Sequence, residues 1–137
     1  MFLIDTVTLS QLRRRERDPK VVQWFERQRT ADLFLSVVSI GEIGRGIARQ
    51  RAIDPSFAGA LADWLDRVVT LYGERIVPFD LRAARRWGTL SAAFGNDSAD
   101  LMIAATALEN GFTVVTRNVS DFEPTGVPVL DPFSRRP

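Results

Sequence analysis

Short apolar runs alternate along this chain with longer stretches of helical periodicity, and that alternation narrows the available folds more than any other feature. Strands separated by helices point to βαβ units and hence to a parallel sheet with helices on its faces. Phe2–Asp5, Leu33–Val38, Ile76–Pro78, Phe112–Thr116 and Val127–Leu130 read as strands. The last carries Pro128, which has no N–H to give to a ladder, and so belongs at an edge. Pro19–Arg29 reads as a helix whose apolar stripe is Val21, Val22, Trp24 and Phe25. A second helix runs from about Ile40 to Arg51. A third opens at Pro55 and keeps a 3.6-residue period through Leu61, Trp64, Leu65, Val68 and Leu71. Asp80 caps a fourth that reaches about Ala93. Ser98–Glu109 is the most apolar helix, closed by Asn110 and Gly111, and a helical turn is expected at Val119–Phe122. The expected architecture is a single α/β domain over residues 1–137. It has three layers, α/β/α, around a central, mainly parallel sheet of about five strands.

The chain has no histidine and no cysteine. Without them there is no Ser-His-Asp triad, no imidazole base or ligand, no thiolate chemistry and no disulfide. Chemistry must run on carboxylates, hydroxyls, amides, arginines or a metal held by oxygen. Lysine plus arginine number 18 against 17 aspartates plus glutamates, so net charge alone does not mark a nucleic-acid binder. The first five residues lack a basic leader region and their apolar run stops at Asp5, unlike a signal peptide. No run approaches the roughly 18–20 apolar residues of a membrane helix. A cytoplasmic protein with no membrane partner is expected.

Acidic residues fall where such a sheet binds ligands, outside the carboxyl ends of its strands. Asp5 ends the first strand, Glu42 begins the helix after the second, Asp100 lies in the first turn of the apolar helix, and Asp121 follows the fourth strand. Two carboxylates about 5 Å apart repel by roughly 3 kcal/mol at an effective dielectric of 20. A convergent set therefore takes up protons or binds a cation, and oxygen ligands suit Mg²⁺ or Mn²⁺. Each acid also has a structural reading. Ser39 to Glu42 has capping-box spacing, as do Asp97 to Asp100 and Asn118 to Asp121, and Asp5 can cap the turn after its strand.

The residues around these acids resemble the four motifs of PIN-domain proteins of the VapC and FitB type. Leu3-Ile4-Asp5-Thr6 with Leu9-Ser10 is similar to the first, and Ser36–Ile43 with Gly46-Ile47 to the second. Asp100–Ala107 is similar to the third. Gly111–Asn118 with Asp121-Phe122, then Gly126-Val127 and Asp131-Pro132-Phe133, is similar to the fourth and its tail. The resemblance implies a Mg²⁺- or Mn²⁺-dependent endoribonuclease that cleaves RNA with metal-activated water. It also implies the toxin component of a type II toxin–antitoxin system, inhibited by a cognate antitoxin and expected to be a homodimer. Asp5, Glu42, Asp100 and Asp121 are then the metal-binding and catalytic acids, with Thr116 and Asn118 as polar supports. One departure stands out: the family usually has asparagine where this chain has Val7, which offers no amide.

Arg117, after the fourth strand, is placed to contact RNA phosphate; Arg13 and Arg14 belong to a basic run interrupted by Glu16 and Asp18. Trp24, Trp64 and Trp87 lie on apolar helix faces and read as core or interface. A phosphorylated receiver domain would need a lysine near the last strands, and Lys20 is the only lysine. A haloacid-dehalogenase-type phosphatase would need aspartate at Val7. The remaining rival is a catalytically silenced PIN-like module that only binds RNA or its antitoxin.

Overall fold

The computed structural model describes residues 1–133, so the last four residues of the expected domain lie outside the described range. Five strands form one sheet: β1 (Phe2–Ile4), β2 (Leu33–Ser36), β3 (Ile76–Val77), β4 (Thr113–Val115) and β5 (Val129–Leu130). Their order across the sheet is β3-β2-β1-β4-β5, and every pairing is parallel. Seven α-helices connect them: α1 (Thr6–Gln11), α2 (Pro19–Arg27), α3 (Val37–Arg51), α4 (Pro55–Tyr72), α5 (Leu81–Phe94), α6 (Ala99–Asn110) and α7 (Val119–Phe122).

Alternation along each strand divides the core. Leu3 and Val114 point to the side covered by α5, α6 and α7, where they meet Leu90, Leu101, Ile103 and Phe122. Ile4, Leu35 and Val115 point to the other side, against Leu9 of α1, Ile43 and Ile47 of α3 and Val68 of α4. Both faces are thus covered, giving the three layers that short, doubly buried apolar strands require. Trp24, Trp64 and Trp87 all pack against these two clusters. Gly111 (φ 69°) ends α6 in the left-handed region and turns the chain into β4. Among the described residues, no helix is long and apolar enough to cross a membrane.

The structure departs from the sequence expectations in three places. The second strand stops at Ser36 and not Val38, because the Ser36 hydroxyl accepts from Val38 N–H at 3.0 Å and caps a helix starting at Val37. That cap outweighs the strand preference of Val37 and Val38. It moves Glu42 from the first helical turn into the second, so Ser39–Glu42 is not a capping box. Ser98, not Asp97, stands at the cap of α6, and its side chain makes no capping bond. The short helix α1 has no counterpart among the expected elements; six residues are too few to show a period.

Candidate active site

The chain builds outward from β1 through β2 to β3, then crosses back to lay β4 on the other side of β1. Connections reverse between β1 and β4, and such a reversal opens a crevice at the carboxyl ends of the strands. Asp5 and Thr116 are the first residues past these two strands. The backbone holds them in register, with Asp5 N–H donating to Val115 O at 3.0 Å and Thr116 N–H to Leu130 O at 2.9 Å.

Asp5 is only 2% exposed. It caps α1, its Oδ1 accepting from Thr8 N–H at 2.9 Å. Burial holds its pKa above the ordinary carboxylate range; the Thr116 hydroxyl and Thr8 N–H oppose that shift, and the charge of Glu42 adds to it. The fully buried Thr116 hydroxyl is in turn fixed by Asn118 N–H, which donates to it at 2.9 Å.

Glu42 is tied across from α3 to α1. Thr6 Oγ1 lies 2.6 Å from Glu42 Oε1 and 2.9 Å from Ser39 Oγ. A threonine hydroxyl has one proton, and the shorter contact to a carboxylate claims it. Ser39, fully buried, then donates to Thr6, making a chain Ser39→Thr6→Glu42. Neither Thr6 nor Ser39 stands out from sequence as a site residue. The available signal is Thr6 directly after Asp5, beside a strand whose helix carries Glu42.

Asp100 is the second residue of α6, near enough to Asp5, Asp121 and Glu42 to feel their charges. Its pKa is raised to about 6, first by burial and then by the charges of Asp5, Asp121 and Glu42. No arginine or lysine pairs with any of the four among the described residues. Asp121 is exposed on α7, and with Asp100 it lines an open pocket of about 500 Å³ that includes Phe94, Asn96, Asp97 and Thr125.

Other candidates lie apart from this centre. The Asn118 side chain is exposed and makes no capping bond; only its backbone touches the network. Arg117 is exposed, its guanidinium 4.7 Å from the ring of Phe133. Arg13 leans 5.3 Å over Phe57 of α4 with its Nε buried, and Arg14 is exposed. Val7, in the first turn of α1, is 48% exposed and offers the crevice no polar atom.

A divalent ion suits the chemistry of these donors: all are carboxylate oxygens with no arginine or lysine partner among the described residues, and two carry pKa values raised in part by their neighbours. Among the described residues no three carboxylates are close enough to enclose an ion alone. Mg²⁺ does not require that, since it commonly keeps several waters and takes one or two carboxylates plus substrate phosphate.

The PIN domain family matches residues 2–124 of the chain. Plasmid stability protein StbB of Pseudomonas syringae pv. tomato is 32% identical over 97% of this chain and 99% of its own length. The VapC ribonuclease Y4jK of Sinorhizobium fredii is 33% identical, over 97% of this chain and 98% of its own. The crystal structure of FitAcB from Neisseria gonorrhoeae superposes with a TM-score of 0.85 at 29% identity, covering 97% of this chain and 99% of that one.

Proposed function

The chain belongs to the PIN-domain family, and from that premise we propose that it is a Mg²⁺- or Mn²⁺-dependent endoribonuclease, the toxin of a type II toxin–antitoxin pair. The relatives named VapC ribonuclease and toxin FitB support the activity and the antitoxin partner. The observation that carries the reading is Asp100. A half-buried carboxyl pushed to about 6 by burial and three acids, with no arginine or lysine pairing it among the described residues, supports a cation-binding role.

Asp5, Glu42, Asp100 and Asp121 would hold the ion, directly or through water. When bound, the ion neutralises phosphate charge and makes a water acidic enough to attack near neutral pH. The residues around it do the rest. Asp100, whose pKa is raised to about 6, would accept the proton of the attacking water. Thr116, held by Asn118, keeps Asp5 in place, and the Ser39–Thr6 chain does the same for Glu42. Arg117, exposed beyond β4, contacts RNA phosphate, with Arg13 and Arg14 as peripheral contacts. The whole chain, residues 1–137, acts as one domain, works in the cytoplasm and pairs as a homodimer.

The test is incubation of purified, antitoxin-free protein with structured RNAs in Mg²⁺, Mn²⁺ or EDTA, beside Asp100→Asn. Cleavage that needs the ion and disappears in the variant supports the reading. Folded, metal-replete protein that binds RNA yet cuts nothing sinks it. That result favours the silenced module, a reading that rests on exposed Val7, and Val7→Asn then tests whether this position suppresses the site.

A further inference from the structure

Helices α5 and α6 carry a second charged feature at the end away from the acids. Arg82, Arg85 and Arg86 on α5, with Thr89 and Glu109, line an open cleft of about 320 Å³. Glu109 accepts from Arg82 Nη2 at 3.1 Å and from Arg86 Nε at 3.0 Å. One carboxylate shared by two guanidiniums holds them side by side, and each keeps N–H groups uncommitted. Arg85 is exposed and has no carboxylate partner among the described residues. Three guanidiniums facing one carboxylate leave a local excess of two positive charges, in a chain whose formal net charge is only +1.

The position of this cleft gives it meaning. Helix α5 runs from it to Phe94, which lines the pocket beside Asp100 and Asp121. Between them the helix exposes Gly88, Thr89, Ala92 and Ala93, none bulky enough to block a strand lying along it. From Arg85 to Phe94 the helix rises about 14 Å at 1.5 Å per residue. That spans about four phosphates at the ~3.4 Å spacing of a stacked strand. Without the ion the acids at the far end repel phosphate, so arginines elsewhere on the surface add to affinity for a polyanion.

We propose that the Arg82–Arg85–Arg86 cleft is a phosphate-binding exosite for single-stranded RNA, anchoring a strand whose neighbouring segment enters the acidic pocket. The choice of RNA as the polyanion rests on the function proposed above. Arginine forks bind phosphate oxygens in pairs, and a fixed array of them sets the register of a strand without reading its bases.

The experiment measures binding of a labelled single-stranded RNA to Asp100→Asn protein by fluorescence anisotropy across a salt series, with Arg85→Glu and Arg82→Ala in that background. Arg85→Glu should weaken binding several-fold and flatten the salt slope by about 0.7 for each phosphate that is no longer neutralised. Arg82→Ala, checked for an unchanged melting temperature, should move both in the same direction. Inorganic phosphate is the second arm: competition by phosphate alone at millimolar concentration, with RNA affinity unchanged in both variants, marks a small-anion site and overturns the proposal. Unchanged affinity and slope without phosphate competition overturn it equally. Wild-type cleavage is scored separately. Cleft-dependent RNA binding without cleavage would remove the nuclease and leave the exosite, and cleavage with cleft-independent binding would do the reverse.

Discussion

The two ends of the α5/α6 pair treat charge in opposite ways. At one end Glu109 takes both Arg82 and Arg86, at 3.1 and 3.0 Å. At the other, Asp100 feels the charges of Asp5, Asp121 and Glu42 and pairs with no arginine or lysine among the described residues, although both ends are built from the same two helices. The first end carries its own counter-charge, while the second has none among the described residues. Under the function proposed above, a bound cation would offset that uncompensated charge.

Changes at the unmatched end should have the largest effects. Asp100→Asn removes the proposed proton acceptor and an ion ligand, and steady-state assays should find cleavage lower by about 10²–10⁴-fold. Thr6→Val deletes the hydroxyl between Ser39 and Glu42 but touches no substrate. Cleavage should fall about 10–100-fold, as for groups that orient metal-binding residues, and Thr6→Ser should restore most of it. Equal activity in the valine and serine variants would show that the relay is only packing.

The same comparison has a pH signature. Asp100 binds its proton more tightly when folded, since its pKa rises from 3.8 to about 6. Folding is therefore penalised as pH rises from about 4 through 6, and the penalty is relieved as pH falls through that window. Metal-free protein should lose melting temperature across that interval. Mg²⁺ or Asp100→Asn should flatten the trend, and a flat profile in the metal-free wild type would break the contrast. The smallest effect belongs to the matched end. Glu109→Ala removes two largely exposed ion pairs and should cost about 1 kcal/mol or less in urea unfolding.

Much of this organisation is legible in the residues. Asp5, Glu42, Asp100 and Asp121 are recognisable because each follows or faces a strand end, and Asp100 feels the charges of the other three. What escapes is local and short. α1 spans six residues and announces itself only through the Asp5 cap on Thr8 N–H, a bond that sequence spacing cannot distinguish from a simple turn. The start of α3 is hidden because Val37 and Val38 favour strands, whereas the Ser36 cap decides the matter. The strand order cannot be read at all. Strands of two to four residues carry no partner preference, and their order follows from how the helices cover both faces. Arg13 is readable as basic but not as a lid on Phe57, because that contact joins segments distant in sequence.

The pairing of β1 with β4 sets Phe2 against Thr113, so nearly the whole chain lies between two neighbours in the middle of the sheet. During synthesis, β1 leaves the ribosome before β4 and waits for it while the residues between them are made. A chain interrupted before that point carries Asp5, Glu42 and Asp100 but lacks the Thr116 that steadies Asp5 and the Asp121 that completes the cluster. No truncated product of translation that stops there contains the assembled crevice. For an enzyme proposed to cut RNA in the cell that makes it, the order of its strands postpones activity until β4 and α7 have been made.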